Sequence, residues 1–571
     1  MSTNVRSQFT KLNHFQNKWG SILFFAISSV LLRAYVPIVP YYTAAHDDLL
    51  MVTMANNIRS GEWLGTYSDL THRTFSKGSG YPLFLAITHI FPWSPAVTVH
   101  ILLLVGAALC LAQLVNLGLQ RKMFAPSFAL IAFFPVWFGD SMSRVYRDGL
   151  LTALLFLSIG VVFLLVSKIR NVYLAEKSTF RWSGLFLVIG ATFGFLLSIS
   201  FVTKSTIIPL VLLAVLVSTQ VAIRYRNKRV YLGLSMFALS AVLAFQPTVI
   251  YIKNANSKTY GLAVVENYYS GPFAESLKSM SAVSPISQRR YVAVTKYARQ
   301  NMYAASPTMR KLQPWLEGKP GEGWKAASCA SPTKICDESG AWFPWELRDA
   351  VEHAGLGDTA VSFNSTFESI FSELRSACKS KQLRCERSSI VPGLPQISNI
   401  PIRDVIESTS ETFLSIWNLR SAEKGSNSYY ENLDKGILDI WNNTVKGLPP
   451  NLPLESYKPM QNFGVSSIQL LSSIYAMIWR VLMIGMLVTM IWRFRLFITS
   501  RNALNLVFSS LLLPTLLSVL TISILEAGLG GYLSMGGNLY TLSIYPFIFL
   551  LCALSLSSLI ESINATQKDK N

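Results

Sequence analysis

The sequence predicts an α-helical polytopic membrane protein with about ten transmembrane helices and one large extracytoplasmic domain, mostly helical or mixed. Three observations carry that reading. The mean hydropathy is +0.36 and only 14% of residues are charged, too few to cover the surface of a soluble chain of 571 residues. Apolar runs near the roughly 20 residues needed to cross a hydrocarbon core of about 30 Å recur along the chain. Between those runs Lys and Arg gather in alternate loops, the arrangement expected of the cytoplasmic side of a membrane protein.

The first run, 19–41, follows a basic start containing Arg6, Lys11 and Lys18. It has no small-residue cleavage site and reads as a retained anchor. Further runs fall at 96–118, 124–139, 149–167, 184–202, 206–223 and 230–252, and three more at 465–491, 503–525 and 540–560. Arg121/Lys122, Lys168/Arg170/Lys177/Arg181, Arg224/Arg226/Lys228/Arg229 and Arg493/Arg495/Arg501 occupy alternate loops, and Lys568/Lys570 the tail. Placing them in the cytoplasm gives a multi-pass protein of the inner (plasma) membrane with both termini inside. Residues 1–252 then hold seven spans and a juxtamembrane loop, 42–95. Residues 253–464 form a periplasmic or extracellular domain, and 465–571 supply the last three spans and the tail. The net charge of +19 reports this topology and an attraction to anionic membrane lipids. The cations make no single stripe, so nucleic acid is not expected as a partner.

Cys110 and Cys552 lie in apolar runs and read as small core residues. Cys329, Cys336, Cys378 and Cys385 fall in the long polar segment. Four cysteines in an oxidising compartment favour two disulfides over a zinc site, whose usual spacing is shorter. The repeated spacing favours Cys329–Cys336 and Cys378–Cys385. Around 210 residues with scattered tryptophans suffice for a folded domain, and 288–304, 359–377 and 403–420 have a helical look.

Segment 42–95 is too polar to span. Residues 48–59 carry Leu49, Val52, Met54, Ala55 and Ile58 among polar neighbours, as an interfacial helix does. The stretch beginning Gly80-Tyr81-Pro82 breaks at Pro92 and Pro95 and reads as re-entrant or juxtamembrane. Asp47 and Asp48 follow the first span directly, where charge near hydrocarbon is costly and therefore points to function. Asp148 opens the fourth span behind Arg144 and Arg147; it is a second acidic candidate, or simply a carboxylate complementing a helix dipole. Lys204 interrupts an apolar run at the outer junction of two spans. It either snorkels to headgroups or grips a phosphate as a point charge. Lys77, Arg144, Arg147 and Lys204 fall on one face, so four cations can converge beside the acidic groups. His46 reads as an interfacial histidine. Six scattered histidines make a metal cage unexpected, and no nucleotide-binding or zincin motif occurs.

These motifs resemble the GT-C glycosyltransferases that use polyprenyl-phosphate-linked sugars, in particular the branch of protein mannosyltransferases and the lipid A aminoarabinose transferase. Asp47-Asp48 followed by Asn56-Asn57-Ile58-Arg59-Ser60-Gly61-Glu62-Trp63-Leu64 is similar to that family's acidic pair, amphipathic helix and Gly-Asp-Trp-Leu-like ending. Phe75-Ser76-Lys77 and Gly80-Tyr81-Pro82-Leu83 resemble its Phe-x-Lys-Pro-Pro segment, with Gly-Ser-Gly-Tyr-Pro in place of the double proline. Arg144-Val145-Tyr146-Arg147-Asp148 resembles its second acidic site, and Phe201-Val202-Thr203-Lys204 with Pro209 its Leu-Thr-Lys…Pro stretch. Asn538-Leu539-Tyr540…Tyr545-Pro546 resembles an Arg-Tyr…Tyr-Pro element without the arginine. The resemblance covers the spans and not 253–464.

The resemblance implies an integral-membrane enzyme that transfers a sugar, with inversion, from a polyprenyl-phosphate donor to an acceptor hydroxyl at the outer face, without a metal or other cofactor. It implies that Asp47 is the base, with Asp48 and Asp148 as the neighbouring acidic candidates. Lys204, Lys77, Arg144 and Arg147 would hold the donor phosphate, and Tyr81, Tyr540 and Asn538 would line the substrate cleft. The implied partners are the lipid-linked donor, a glycan, lipid or protein acceptor, membrane lipids, and membrane proteins that supply the donor. Two rivals stand beside this reading. One is a lipid-linked glycan polymerase or ligase. The other is a flippase or transporter, which should show internal repeats and midplane charges.

Overall fold

The computed structural model describes residues 20–67, 75–175, 180–205, 207–283, 289–387, 389, 391–395, 400–423, 432–449, 459–499, 503–530 and 539–568. Among these the protein is helical, with isolated bridges and no strand. The predicted fold class is what the chain adopts.

Helix α1 (Gly20–Tyr35) leads to two short helices beside the spans, α2 (Asp48–Arg59) and α3 (Gly80–Thr88). Next come α4 (Pro95–Leu117), α5 (Phe124–Ala132), the single turn α6 (Asp140–Ser143), α7 (Arg147–Ala175), α8 (Phe180–Thr203), α9 (Ile208–Tyr225) and α10 (Lys228–Tyr260). The long polar segment holds α11 (Pro272–Ser281), α12 (Lys296–Ala305), α13 (Pro307–Leu316), α14 (Glu322–Ala330), α15 (Phe343–His353), α16 (Ala360–Lys379), α17 (Ile402–Trp417) and α18 (Lys435–Thr444). Helices α19 (Pro459–Thr499), α20 (Ala503–Leu529) and α21 (Tyr545–Lys568) close the chain. Seven of these are long and apolar enough to cross a membrane among the described residues, namely α4, α7, α8, α9, α10, α19 and α20. Helix α1 and the stretch Tyr545–Ile560 of α21 are shorter apolar helices.

The apolar run 124–139 is not one spanning helix. Helix α5 ends after nine residues, because Pro135 cannot continue it and Phe134 is extended. A 3₁₀ turn, Pro135–Phe138, follows, with all four residues buried. The broken backbone is sheltered by protein, the condition under which non-helical chain is tolerated at membrane depth. In the polar segment, the helix expected over 288–304 begins only at Lys296. Thr295 caps it by accepting from the Ala298 N–H, and Arg289 and Val292 pair in a turn ahead of it. Spans α10 and α19 run past the expected 230–252 and 465–491, to Tyr260 and from Pro459, since polar residues extend a helix beyond hydrocarbon at no cost.

Most of the clustered apolar side chains of 253–464 among the described residues enter two large cores. Phe273, Leu277, Leu312, Leu347, Phe363 and Phe367 build one among α11–α16. Ile416, Leu419, Trp441 and Val445, from α17 onward, join the membrane core instead. Inside the first of these cores Arg299 donates to Glu317 (2.7 Å) and Glu338 (3.1 Å), so its buried charge is matched twice.

Two disulfides, Cys329–Cys336 and Cys378–Cys385, pin the ends of α14 and α16. Each closes a short loop, a sequence separation of 7. Loop entropy of that size is worth roughly 2.5 kcal/mol per bridge. Non-reducing peptide mapping should recover these two linked pairs, and Cys378→Ala with Cys385→Ala should lower the unfolding temperature of this part. Four free thiols, or stoichiometric zinc, would contradict the assignment.

Candidate active site

The site forms where segment 36–47 runs beside the turn 139–148. The Val39 N–H donates to the Ser143 carbonyl (3.0 Å), and Val39 bridges Arg144 in parallel. From the other side Trp441 stacks edge-on against Tyr42 at 5.1 Å and donates its indole N–H to the Tyr42 carbonyl (3.3 Å). Residues nearly a hundred positions apart are thereby aligned. Arg144 Nε donates to both Asp48 oxygens (3.0 and 2.9 Å), and its Nη2 also reaches Asp48. The Asp48 side chain is wholly buried in this fork.

Asp47 faces the other way. Lys77 Nζ sits 2.6 Å from its Oδ1, the Tyr146 hydroxyl donates to the same oxygen (3.0 Å), and Arg144 Nη2 lies 3.4 Å from Oδ2. Its side chain is 35% exposed, against 0% for Asp48 and 10% for Asp148. Burial by itself would raise the Asp47 carboxyl, but Lys77 and Arg144 outweigh it and hold the group well below the usual carboxylate range. Lys77, Arg144 and Arg147 lie 5.8, 4.4 and 5.7 Å from the Tyr146 ring centre, so one tyrosine orients three cations.

Lys204, at the end of α8, donates to Asp148 Oδ1 (2.8 Å) on the first turn of α7. Lys204 is therefore a buried ion-pair partner and does not snorkel. It also lies 4.9 Å from the Tyr540 ring centre. Arg147 Nη1 donates to the Thr203 carbonyl (3.4 Å). Asp148 Oδ2 and Arg147 Nε are buried without a hydrogen-bond partner among the described residues. Such groups are rare in finished structures and are places a ligand can complete.

The Gly-Ser-Gly stretch before Tyr81 has a packing reason. A Cβ on Gly78 would fall 2.1 Å from the Val202 carbonyl oxygen, and one on Gly80 2.3 Å from Thr203 Oγ1. Only glycine lets the Lys77 loop lie against the end of α8, which carries Lys204. Tyr81 is buried and, with Ile38, Val99, Met142, Arg144 and Tyr146, lines a small cleft. Asn538 lies outside the described residues.

Several site residues left no mark in the sequence. His46 is not an open interfacial side chain: Trp345 and Trp324 stack against it at 4.7 and 5.1 Å. Both tryptophans come from the polar segment, and Trp345 also lies 5.3 Å under Lys77 Nζ. The chain leaving α10 threads the same region. Glu266 accepts from Ser205, next to Lys204, and its other oxygen has no partner among the described residues. Asn267 takes the Phe75 carbonyl with its N–H (2.8 Å) and accepts from the buried Arg348 (2.5 Å). Tyrosines, tryptophans and a lone glutamate in a polar stretch carry no periodic signal, so only the folded chain identifies these.

No family model matches the chain, and no curated protein does. Solved structures similar to it include ArnT from Cupriavidus metallidurans in the apo state and the same protein bound to undecaprenyl phosphate. Each is 12% identical over 94% of this chain and 78% of the ArnT chain, with TM-scores of 0.31 and 0.26. That likeness is too distant to say more about this chain, whose chemistry is read from its own residues.

Proposed function

We propose that the protein is a GT-C type glycosyltransferase that moves a sugar from a polyprenyl-phosphate donor to an acceptor hydroxyl, with inversion, at the outer face of the plasma membrane. The observation that carries this reading is one partly exposed carboxylate, Asp47, paired with Lys77 and Arg144 beside two buried carboxylates, Asp48 held by Arg144 and Asp148 held by Lys204. The order of motifs along the chain agrees with it.

In this scheme the acceptor hydroxyl gives its proton to Asp47 as its oxygen bonds the anomeric carbon. The bond from that carbon to the phosphate oxygen breaks, and its electron pair stays on the phosphate. A phosphate departs without a general acid, so one base and fixed positive charge suffice. Lys77 and Arg144 have a double role. In the free protein they hold Asp47 ionised and weakly basic. A donor phosphate drawing them toward itself releases Asp47 and raises its basicity when a proton has to be taken. Arg147 Nε offers the phosphate a donor, and Asp148 Oδ2 an acceptor for a sugar or acceptor hydroxyl. Asp48, locked by Arg144, positions that arginine.

Lys204 provides the test. Loss of a charge-assisted contact costs about 1.5–3 kcal/mol, which is roughly 10- to 150-fold in donor affinity or rate. Lys204→Ala should show that loss in transfer rate against donor concentration, and Lys204→Arg should recover only part of it, since a planar fork replaces a point charge. Lys204→Ala also strands Asp148, so Lys204→Ala with Asp148→Asn separates stability from donor binding. Unchanged donor dependence in the double variant would remove Lys204 from the donor site.

A further inference from the structure

Helix α17 belongs by sequence to the polar segment, yet it packs on spans. Its Ser408, Thr412 and Ser415 are buried along one side. Thr412 Oγ1 accepts from Ser523 of α20 (3.3 Å), and the Trp479 indole of α19 donates to the Ile416 carbonyl (2.9 Å). A face of small hydroxyl residues that lets backbones approach closely is how helices associate inside membranes. Depth along α19 gives the position. A Cβ on Gly464 would fall 2.6 Å from the Tyr35 carbonyl oxygen, so Gly464 is level with the end of α1. Trp479 lies about 22 Å farther along that helix at 1.5 Å per residue. The C-terminal end of α17 is thus inside the level of the spans.

The rest of the helix surface is sorted by chemistry. At 100° per residue, Ile402, Ile406, Phe413 and Trp417 share a sector of about 60°. Ile402 is 74% exposed and Ile406 61% exposed, and the Phe413 and Trp417 rings stack at 5.7 Å. The next sector carries the exposed Arg403, Glu407 and Glu411 together with Leu414, with Glu411 3.5 Å from Arg420 and Glu407 3.9 Å from Arg290. Helix α20, against which α17 rests, exposes Leu513, Leu516, Leu517 and Leu520 of its own. Both helices thus expose apolar side chains, α17 with a charged edge beside its stripe. That three-way division is the signature of a helix lying in the membrane interface.

We propose that α17 is membrane-inserted, with Ile402, Ile406, Phe413 and Trp417 in contact with lipid acyl chains and its charged edge among headgroups. The partner is the bilayer that surrounds α19 and α20. The turn after α17 abuts the active-site turn: the Asp140 N–H donates to the Glu423 carbonyl (3.1 Å), and Gly139 leaves no room for a Cβ against Ser421. Lipid contact at α17 is thereby one step from the backbone carrying Arg144 and Arg147.

The test does not depend on the enzymatic reading. Ile406→Cys, Phe413→Cys and Glu407→Cys are surface substitutions. Each is spin-labelled in the full chain in lipid nanodiscs, and collision with oxygen is compared with collision with a water-soluble nickel chelate. The expected result is a several-fold higher oxygen-to-nickel ratio at 406 and 413 than at 407. Equal nickel access at 407 and 413 would overturn the proposal by placing the stripe in water. Exclusion of both probes at 413 would overturn it in favour of a protein partner. Matching unfolding temperatures for the three variants and the parent establish that the comparison is made on folded protein.

Discussion

Asp47→Asn lowers sugar transfer by about 10²- to 10⁴-fold, the usual contribution of a positioned base, and leaves the fold intact. The amide keeps the acceptor oxygen that Lys77 and Tyr146 use but loses the ability to take a proton and the negative charge facing Lys77 and Arg144. The pH profile is sharper still. Lys77 and Arg144 hold the free protein's Asp47 well below the usual carboxylate range, so its ionised form dominates near neutral pH. Donor phosphate engages the same two cations, which weakens their pull and raises the Asp47 pKa in the complex. The acid limb of kcat therefore lies at higher pH than the acid limb of kcat/KM, since kcat reports the complex and kcat/KM the free protein. Measuring transfer by purified protein in nanodiscs from pH 4 to 9 checks both points. Near-parent turnover in Asp47→Asn removes it as the base; coincident acid limbs remove the donor-induced release.

The largest effect on stability belongs to Arg144→Met. Asp48 is fully buried and its carboxylate is satisfied by the Arg144 fork. Removing the arginine leaves an uncompensated buried charge, which costs about 3–5 kcal/mol, a large part of the stability of a typical domain. The protein should therefore express poorly and unfold at markedly lower temperature. Arg144→Met with Asp48→Leu removes both members and should regain most of the stability, because an apolar pair of similar volume is often neutral or better. Activity should stay low, since Arg144 also reaches Asp47. Thermal unfolding of the two variants in one detergent decides this. A single variant as stable as the parent would mean that Asp48 is reached by water or takes up a proton once the arginine is gone.

Local chemistry determined a great deal of this protein from sequence alone. Helix α2 falls at the expected 48–59 because an amphipathic stretch bounded by Asp47 and Ser60–Gly61 needs no partner to declare itself. The spans are legible because hydrocarbon thickness sets their length. The disulfide pairs are legible because the four cysteines repeat one short spacing. Proline told in both directions: Pro135 stops α5 inside an apolar run that hydropathy alone reads as continuous, whereas Pro247 is carried within α10. The cations and carboxylates of the site are also visible in sequence, but not their pairing. Lys77 with Asp47, Arg144 with Asp48, and Lys204 with Asp148 are contacts across many tens of residues, and composition holds no record of such distances. The same holds for His46 between Trp324 and Trp345, for Glu266 beside Ser205, and for α17 against α20. A hydrophobic period says that a side chain is covered. Which residue covers it is decided only when the chain closes on itself, and that closure separates Asp47, open to a substrate, from Asp48, locked in its arginine fork.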